Sequence, residues 1–382
     1  PAERFAASRE SKKLTAVEDF KSLIRFGLDD FQERACRSLA TEKSVLVAAP
    51  TGAGKTIVGE FAIHLAIEKN LKVFYTTPIK ALSNQKYSEL CKRYGEHRVG
   101  LLTGDNNTNS DAQIVVMTTE VLRNMIYANS DSLINLGFVV MDEVHYLADR
   151  FRGAVWEEVI LHLPKDVKVI SLSATVSNAE EFGAWLNEVR GQTDVIVSER
   201  RPVPLHQHVM FGDELLPLFD AKKPGVVNPQ LLQMHNNKLR QAQTKTSNRG
   251  KNAKPYGRSR EPQIERLSKP ELIDILDEAE LLPAIFFVFS RAGCEAAVRA
   301  CQHSGLRLTT KEEAREIRML VEERVYNIAD EDLATLGYFE WLSGLERGVA
   351  AHHAGMLPAF KEIVEELFLR KLVKAVFATE TL

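Results

Sequence analysis

Cysteine is scarce in this chain of 382 residues, and long apolar runs are missing. The four cysteines are widely spaced and form no CxxC pair, which excludes a disulfide scaffold and favours reduced core residues. The longest strongly apolar stretch, residues 281–289, contains Pro283, whereas a membrane-spanning helix needs about 20 apolar residues. We therefore expect a protein with no membrane segment.

The chain also has no apolar stretch at its start and little net charge. It begins Pro1-Ala2-Glu3-Arg4, without the apolar core of a secretory signal, so we expect a cytoplasmic protein. The net charge is -3, but residues 236–260 hold eight Lys or Arg and no Asp or Glu. This basic segment is a candidate for binding nucleic acid, and a solvated loop is the alternative.

What the chain does have is material for folded cores. Hydrophobic residues make up 45% and charged residues 26%, which is the composition of an ordinary globular protein. From residue 44 to about residue 200, short apolar, β-branched runs alternate with helical periodicity, which is typical of a parallel sheet covered by helices. The strands predicted here are residues 44–49, 72–76, 98–102, 113–117, 137–141, 167–172 and 194–197.

A second α/β pattern follows a polar region rich in Gly, Pro and Asn. It begins with a helix at residues 269–281 and has strands at residues 284–289, 348–352 and 373–378. We therefore predict an α/β protein of two tandem parallel-sheet domains, the second incomplete. The predicted parts are an N-terminal extension at 1–25, domain one at 26–200, a connector with the basic flexible segment at 201–268, and domain two at 269–382.

The strongest local motif is a phosphate loop at residues 49–56, Ala-Pro-Thr-Gly-Ala-Gly-Lys-Thr, between a predicted strand and a predicted helix. Small residues let backbone N–H groups surround phosphate oxygens, and the helix N-terminus adds partial positive charge. Lys55 would reach the β- and γ-phosphates, and the Thr56 hydroxyl would ligate Mg²⁺. A glycine-rich turn without a ligand is the alternative. The other loop residues expected to contact the nucleotide are Thr51, Gly52, Ala53 and Gly54.

An apolar strand ends in two carboxylates at Asp142 and Glu143. A strand end can fix Asp142 beside the phosphate loop to hold the metal, while Glu143 can polarise the water that attacks the γ-phosphate. By itself, an acidic pair after a strand is commonly a solvated loop. Coupled to the phosphate loop, the pair predicts that Lys55, Thr56, Asp142 and Glu143 converge on one Mg²⁺-nucleotide.

The run Asp142-Glu143-Val144-His145 resembles the DExH-box helicases of superfamily two. This resemblance implies RecA-like domains and ATP with Mg²⁺ as cofactors. Phe26 and Gln32 resemble the adenine-recognition motif of that family, in which the aromatic ring stacks on the base and the amide hydrogen-bonds its edge. Ser173 and Thr175 resemble the motif that links nucleotide state to domain closure through His145.

Three further segments, residues 77–85, 103–105 and 118–123, follow predicted strands, so their loops should share one sheet edge. In the family these loops hold the phosphates of a nucleic-acid strand, a mode of binding that does not depend on base sequence. Helix capping by Thr and Asp is the alternative. The residues implied are Pro78, Lys80, Asn84, Gln85, Thr103, Gly104, Thr118, Thr119 and Arg123.

Domain two contains segments similar to the same family. Residues 286–291 resemble its first motif there, and residues 348–358, like residues 149–158, resemble the superkiller-like branch, whose members act on RNA. Within that branch, the resemblance is to the bacterial, actinobacterial type. The contacts with the strand implied in this domain come from Ser290, Arg291, His353, Gly355 and Thr379.

The last residues, 378–382, resemble the first half of the family's next motif. The motif after that supplies the arginine fingers, and it is not in this sequence, so we expect a fragment ending within domain two that hydrolyses ATP poorly by itself.

The resemblance implies an ATP-dependent RNA helicase core that translocates 3′ to 5′ and unwinds RNA. The expected substrate is single-stranded RNA or a duplex with an overhang, and the RNA-degradation machinery is an expected partner. A DNA helicase is one alternative, since recognition of the 2′-OH separates the two. A nucleotide-switched RNA-binding scaffold is the other.

Overall fold

A computed structural model describes residues 15–104, 106–150, 152–174, 178–223, 225–237, 267–326 and 329–379. The chain divides into two compact units, Pro1–Leu205 and His206–Leu382, called unit 1 and unit 2 below. The division between the units falls inside the predicted connector at 201–268, just after Leu205. Thr175, most of the basic segment and residues 380–382 lie outside the described residues.

Unit 1 contains an eight-stranded sheet in the order β4-β3-β5-β2-β6-β7-β1-β8. Every neighbouring pair is parallel except β3 and β4. The strands are β1 Ser44–Ala48, β2 Lys72–Thr77, β3 Val99–Leu102, β4 Asn107–Thr108, β5 Ile114–Thr118, β6 Leu136–Met141, β7 Lys168–Ser173 and β8 Thr193–Val197. The helices of this unit include α1 Asp30–Ala40, α2 Thr56–Glu68, α3 Lys80–Tyr94, α4 Thr119–Tyr127, α5 Gly153–His162 and α6 Ala179–Arg190.

Helices cover both faces of this sheet because its strands are apolar at successive positions. Along β1, Val45 and Val47 pack into one buried cluster, while Leu46 and Ala48 pack into the other. The first cluster includes α1 and α2, and the second includes Trp156 of α5. The predicted α/β class and the burial of strands on both faces are confirmed.

The seven predicted strands of unit 1 all form, each with one or both ends shifted by one residue. The sequence analysis missed β4, a two-residue strand that runs antiparallel to β3 and makes the sheet mixed. Its two residues are exposed and polar, so no hydrophobic pattern marks it.

Unit 2 contains a three-stranded parallel sheet in the order β11-β13-β12 and a separate two-stranded hairpin. The hairpin strands are β9 His208–Phe211 and β10 Glu214–Pro217, the parallel strands β11 Ala284–Phe287, β12 Val349–His352 and β13 Ala375–Ala378. The helices of this unit include α7 Lys269–Glu278, α8 Arg291–His303, α9 Lys311–Val325, α10 Asp330–Thr335, α11 Tyr338–Leu345 and α12 Pro358–Leu369.

The hairpin was also missed, although a turn signal marks it. Gly212 and Asp213 separate the two strands, and Gly212 has a φ of 68°, which glycine adopts without strain. The three parallel strands were predicted, but β11 stops at Phe287 instead of residue 289. Alternate side chains of β11 are exposed, whereas every residue of β12 and β13 is buried.

The cysteines are free; three are buried and Cys91 is half-buried. Among the residues that the structure describes, no helix is both long enough and apolar enough to cross a membrane.

Candidate functional site

The carboxyl ends of β6, β7 and β1 lie side by side in unit 1 and are called the β1 half of the sheet edge. Ala48 pairs with Ser173, and the N–H of Ala49 donates to the Ser173 carbonyl at 3.1 Å. The N–H of Asp142 donates to Thr76 O at 2.9 Å, which holds the first residue after β6 against β2. Residues 49, 142 and 173 therefore begin their loops at the same level of the edge.

The phosphate loop wraps around the Lys55 side chain. Its ammonium donates to Ala49 O at 2.8 Å and Pro50 O at 3.2 Å, and only 8% of the residue is exposed. Gly52 and Gly54 both have a φ of 81°, a backbone conformation that residues other than glycine rarely adopt. A Cβ on Gly52, an exposed residue, would meet nothing within 4 Å, so the positive φ and not crowding favours glycine there. The loop ends where Thr56 begins α2, and the N–H groups of Ile57 and Val58 donate to Gly54 O at 3.2 Å and to Lys55 O at 3.0 Å.

Gln32 holds this loop from α1. Its Nε2 donates to Gly54 O at 3.0 Å, and its Oε1 accepts from the N–H of Asp29 at 2.8 Å as part of a capping box. A Cβ on Gly54 would lie 2.7 Å from Gln32 Nε2. The structure therefore places the predicted base-contacting amide against the phosphate loop, with both ends engaged. Phe26, the predicted stacking residue, is 59% exposed.

The two carboxylates after β6 differ in their surroundings. Asp142 Oδ2 accepts from the Tyr75 hydroxyl at 2.7 Å, and Oδ1 accepts from the N–H of Glu143 at 2.9 Å. Glu143 has a φ of 52°, in the left-handed region that is uncommon for a residue other than glycine. Such strain costs about 1 kcal/mol or more and concentrates at functional sites.

Glu143 also faces His145. Its Oε2 lies 3.2 Å from His145 Nδ1, but the two atoms are not aligned for a hydrogen bond. Both are buried and without a hydrogen-bond partner among the described residues. Such atoms are rare in folded proteins, and one explanation for them is a ligand or ion.

Burial dominates the electrostatics of this group. It lowers the pKa of Lys55, against the opposing effect of Glu143 and Asp142. It raises the pKa of Glu143, helped by Asp142 and opposed by Lys55. It lowers the pKa of His145, and the Lys55 charge adds to that effect. These mutual effects show that Lys55, Asp142, Glu143 and His145 share one electrostatic environment.

These residues fit a nucleotide with a divalent cation. The loop offers an ammonium and a helix N-terminus for phosphate oxygens, while Thr56 and Asp142 offer the oxygen ligands that Mg²⁺ prefers. Ser173, a predicted coupling residue, is buried at the end of β7 between these two elements. Thr175 lies outside the described residues.

The loops after β2, β5 and β3 form the other part of the same edge, called the β3 half. Thr119 Oγ1 donates to Thr77 O at 3.4 Å, which ties the β5 loop to the β2 loop. A Cβ on Gly104 would lie 3.5 Å from Lys80 Nζ, so the β3 loop reaches the start of α3. The prediction that these loops share one edge is confirmed.

The predicted strand-binding residues of the β3 half fall into two groups. The hydroxyl of Thr103 accepts from the N–H of Asn106 at 3.2 Å, and Thr119 is fully buried. Thr118 and Pro78 are also buried, so these four residues shape the loops from within. The remaining residues are exposed or half-buried: Lys80, Asn84, Gln85, Gly104 and Arg123.

The predicted residues of unit 2 lie at the carboxyl ends of its three parallel strands. Ser290 caps α8 by accepting from the N–H of Gly293 at 3.2 Å, and Arg291 follows as an exposed residue. A Cβ on Gly355 would lie 3.4 Å from Arg291 Cδ. The N–H of Thr379 donates to His352 O at 3.3 Å. The structure brings this set together at one edge.

His353 is nearly buried at 5% exposure, and its Nδ1 accepts from the N–H of Gly355 at 3.2 Å. Because Nδ1 accepts, the proton of a neutral ring lies on Nε2, which is 3.2 Å from Glu295 Oε1. His353 therefore shapes the turn that presents Gly355.

Two residues at the site were missed by the sequence analysis. Tyr75 lies inside β2, where an aromatic residue suggests only core packing, yet its hydroxyl reaches Asp142. Arg152 contacts Pro78 O at 3.5 Å through Nη1. The neighbouring Gly153 is required sterically, because a Cβ there would lie 2.2 Å from Leu147 O. The Arg-Gly pair in residues 149–158 was the available signal for Arg152.

Comparison with known proteins agrees with this geometry. Residues 29–182 match the DEAD/DEAH box helicase family. The chain is 58% identical over 374 residues to the probable helicase HelY of Mycobacterium leprae, covering 97% of this chain and 40% of that protein.

More distant relatives include eukaryotic helicases. The chain is 39% identical over 404 residues to the chloroplastic DExH-box ATP-dependent RNA helicase DExH15 of Arabidopsis thaliana, covering 96% of this chain and 33% of that protein. It is 39% identical over 384 residues to human superkiller complex protein 2, covering 96% of this chain and 30% of that protein. The chain thus spans at most about two fifths of the length of these curated relatives.

Proposed function

We propose that this chain, whose residues 29–182 match the DEAD/DEAH box helicase family, is part of an ATP-dependent helicase that moves along RNA and unwinds it. The observation that carries this proposal is the pairing of two sites on one sheet edge. The β1 half holds the phosphate loop and the carboxylates, and the β3 half holds the exposed loops.

In this proposal, the β1 half binds ATP together with Mg²⁺. Hydrolysis of the ATP supplies the free energy for movement. Lys55 compensates the charge of the phosphates, and Thr56 and Asp142 hold the metal. Glu143 orients the attacking water, and the raised pKa of its carboxyl favours accepting a proton. His145 and Ser173 pass the state of this site to the rest of the protein, and Phe26 stacks on the base.

The β3 half binds the phosphates of the strand through its exposed residues and through backbone N–H groups at the starts of α3 and α4. Phosphates look the same at every step, so such contacts allow movement regardless of base sequence. In unit 2, Arg291 and the Gly355 turn supply the second set of contacts. Repeated binding and hydrolysis of ATP then shift one set relative to the other along the strand.

RNA is favoured over DNA because a relative that aligns with 96% of this chain is named an RNA helicase. We further propose 3′ to 5′ movement, on the resemblance to the superkiller-like branch. Since the human relative is named as a component of the superkiller complex, we propose that this protein also works with partner proteins, in RNA degradation. We propose a cytoplasmic location.

ATP turnover of the full-length protein that contains this chain, measured with single-stranded RNA and with DNA of the same sequence, tests the proposal. We expect RNA to raise turnover more than DNA does. Equal stimulation would favour a DNA helicase or a motor that accepts either sugar, and ATP binding without turnover would favour the scaffold. Partial duplexes with either a 3′ or a 5′ overhang test the direction, and unwinding confined to the 5′ overhang would contradict it.

A further inference from the structure

Tyr75 connects the two elements that would hold the metal. Strand β2 pairs with β6 so that Tyr75 lies opposite Val140, which places Asp142 two residues farther along on the same face. The Tyr75 hydroxyl donates to Asp142 Oδ2 at 2.7 Å. The Tyr75 ring also touches α2, because a Cβ on Gly59 would lie 3.2 Å from Tyr75 Cε2. Gly59 is one helical turn after Thr56.

The Asp142 carboxylate is held from two sides. Oδ2 accepts from Tyr75, and Oδ1 accepts from the N–H of Glu143 at 2.9 Å. Two hydrogen bonds to different oxygens fix the rotation of the carboxylate plane. Each carboxylate oxygen has two acceptor positions, so both keep capacity for a further ligand.

The Tyr75 hydroxyl is not needed to fill space. The residue is fully buried, and a phenylalanine ring would occupy the same position without requiring an acceptor. A buried hydroxyl without a partner is costly, so this one makes the fold depend on Asp142 being in place.

We propose that Tyr75 is a positioning residue: its hydroxyl fixes Asp142 in the orientation that holds the Mg²⁺ of the bound nucleotide. This inference rests on the proposed function, since it assigns Tyr75 to the ATP site of that helicase. In this proposal, Tyr75 acts through Asp142 and does not itself bind the nucleotide or its phosphates.

Tyr75→Phe in the full-length protein tests this, with Tyr94→Phe as the matched control. Tyr94 is a second tyrosine of unit 1 that packs against the same apolar cluster, away from Asp142. The affinity for a fluorescent ATP analogue is measured once in EDTA and once in Mg²⁺. The affinity in Mg²⁺ divided by the affinity in EDTA is the gain in affinity due to the metal. Thermal unfolding verifies that both variants fold.

We expect Tyr75→Phe to bind the analogue in EDTA as wild type does, but to lose about tenfold of the gain due to Mg²⁺, the size expected for one hydrogen bond to a charged group. Tyr94→Phe should keep the whole gain. Incorporating 4-aminophenylalanine at position 75, which restores an N–H donor, should recover part of the loss.

An unchanged gain in Tyr75→Phe would overturn the proposal. An equal loss of affinity in EDTA and in Mg²⁺ would overturn it too, because it would show a general packing role. If the phenylalanine variant fails to fold, the 4-aminophenylalanine variant decides: a gain due to Mg²⁺ that is reduced by clearly less than tenfold supports the proposal, and a full tenfold loss overturns it. Wild-type protein that binds no ATP analogue would overturn the proposed function and this inference together.

Discussion

The two halves of the unit 1 sheet edge differ in how they expose their polar side chains. In the β1 half, Lys55 is 8% exposed, and its charge and the Glu143 carboxylate are partly desolvated. In the β3 half, Lys80, Asn84 and Gln85 are exposed, and the buried threonines serve the loops themselves. A desolvated, rigid site suits chemistry on one small ligand, because electrostatic interactions are stronger there. Exposed side chains suit a long strand that is bound and released repeatedly.

The largest expected effect is in the β1 half. Glu143→Gln keeps the shape of the side chain but removes its charge, so ATP turnover should fall by about 100-fold or more while ATP still binds. Steady-state turnover and equilibrium ATP binding measure the two quantities separately. Glu188→Gln, at an exposed position of α6, is the control and should behave as wild type. Wild-type turnover by Glu143→Gln would contradict the assignment.

Lys55→Ala separates nucleotide binding from strand binding. The variant loses the ammonium that compensates the phosphates, so ATP affinity should drop by about tenfold or more. RNA affinity measured without nucleotide should stay unchanged, since the β3 half is intact. Lys69→Ala, at the other end of α2, is the matched control. If ATP binds Lys55→Ala as tightly as wild type, the loop does not bind phosphate as proposed.

The double variant Lys80→Ala with Asn84→Ala should show the opposite pattern to Lys55→Ala: weaker RNA binding with unchanged ATP binding. Both residues lie at the exposed start of α3, so RNA affinity should fall several-fold. The slope of log affinity against log salt should flatten by about 0.7, because only the charged Lys80 releases a counterion on binding. ATP affinity without RNA should not change. Lys92→Ala, near the end of the same helix, provides the control. If the double variant lost ATP affinity instead, the assignment of ATP to the β1 half and of RNA to the β3 half would be wrong.

The smallest effect is expected from the basic segment. Neutralising Lys245, Arg249, Lys251 and Lys254 should lower RNA affinity modestly and flatten its salt dependence, because fewer counterions are released on binding. Fluorescence anisotropy of a labelled RNA at several salt concentrations measures both. An identical salt slope would show that the segment is a solvated loop.

Much of this architecture was predictable because it depends on patterns among residues that are close in the sequence. The strands of unit 1 are apolar at successive positions, and the phosphate loop combines small residues with a strand before it and a helix after it. The convergence of Lys55 and Asp142 followed from a general property of parallel sheets, whose strand ends meet at one edge.

What could not be predicted depends on contacts between distant residues. Tyr75 and Asp142 are 67 positions apart, and nothing near Tyr75 distinguishes it from an ordinary core residue. Gln32 is still predicted to contact the base edge, and the sequence did not indicate that its amide also joins a capping box and contacts the loop carbonyls. Thr119 and Thr103 have the residue type that binds phosphates, and only the structure reveals that their side chains are buried.

Hydrogen exchange measured by mass spectrometry tests the division of the edge most directly. A non-hydrolysable ATP analogue with Mg²⁺ should protect peptides covering residues 49–58 and 141–146. Single-stranded RNA added alone should protect peptides covering residues 77–85 and 118–124 and leave the first set unchanged. Protection of the phosphate loop by RNA alone, or no protection of either β3-half segment, would contradict the assignment of nucleotide and strand to separate halves.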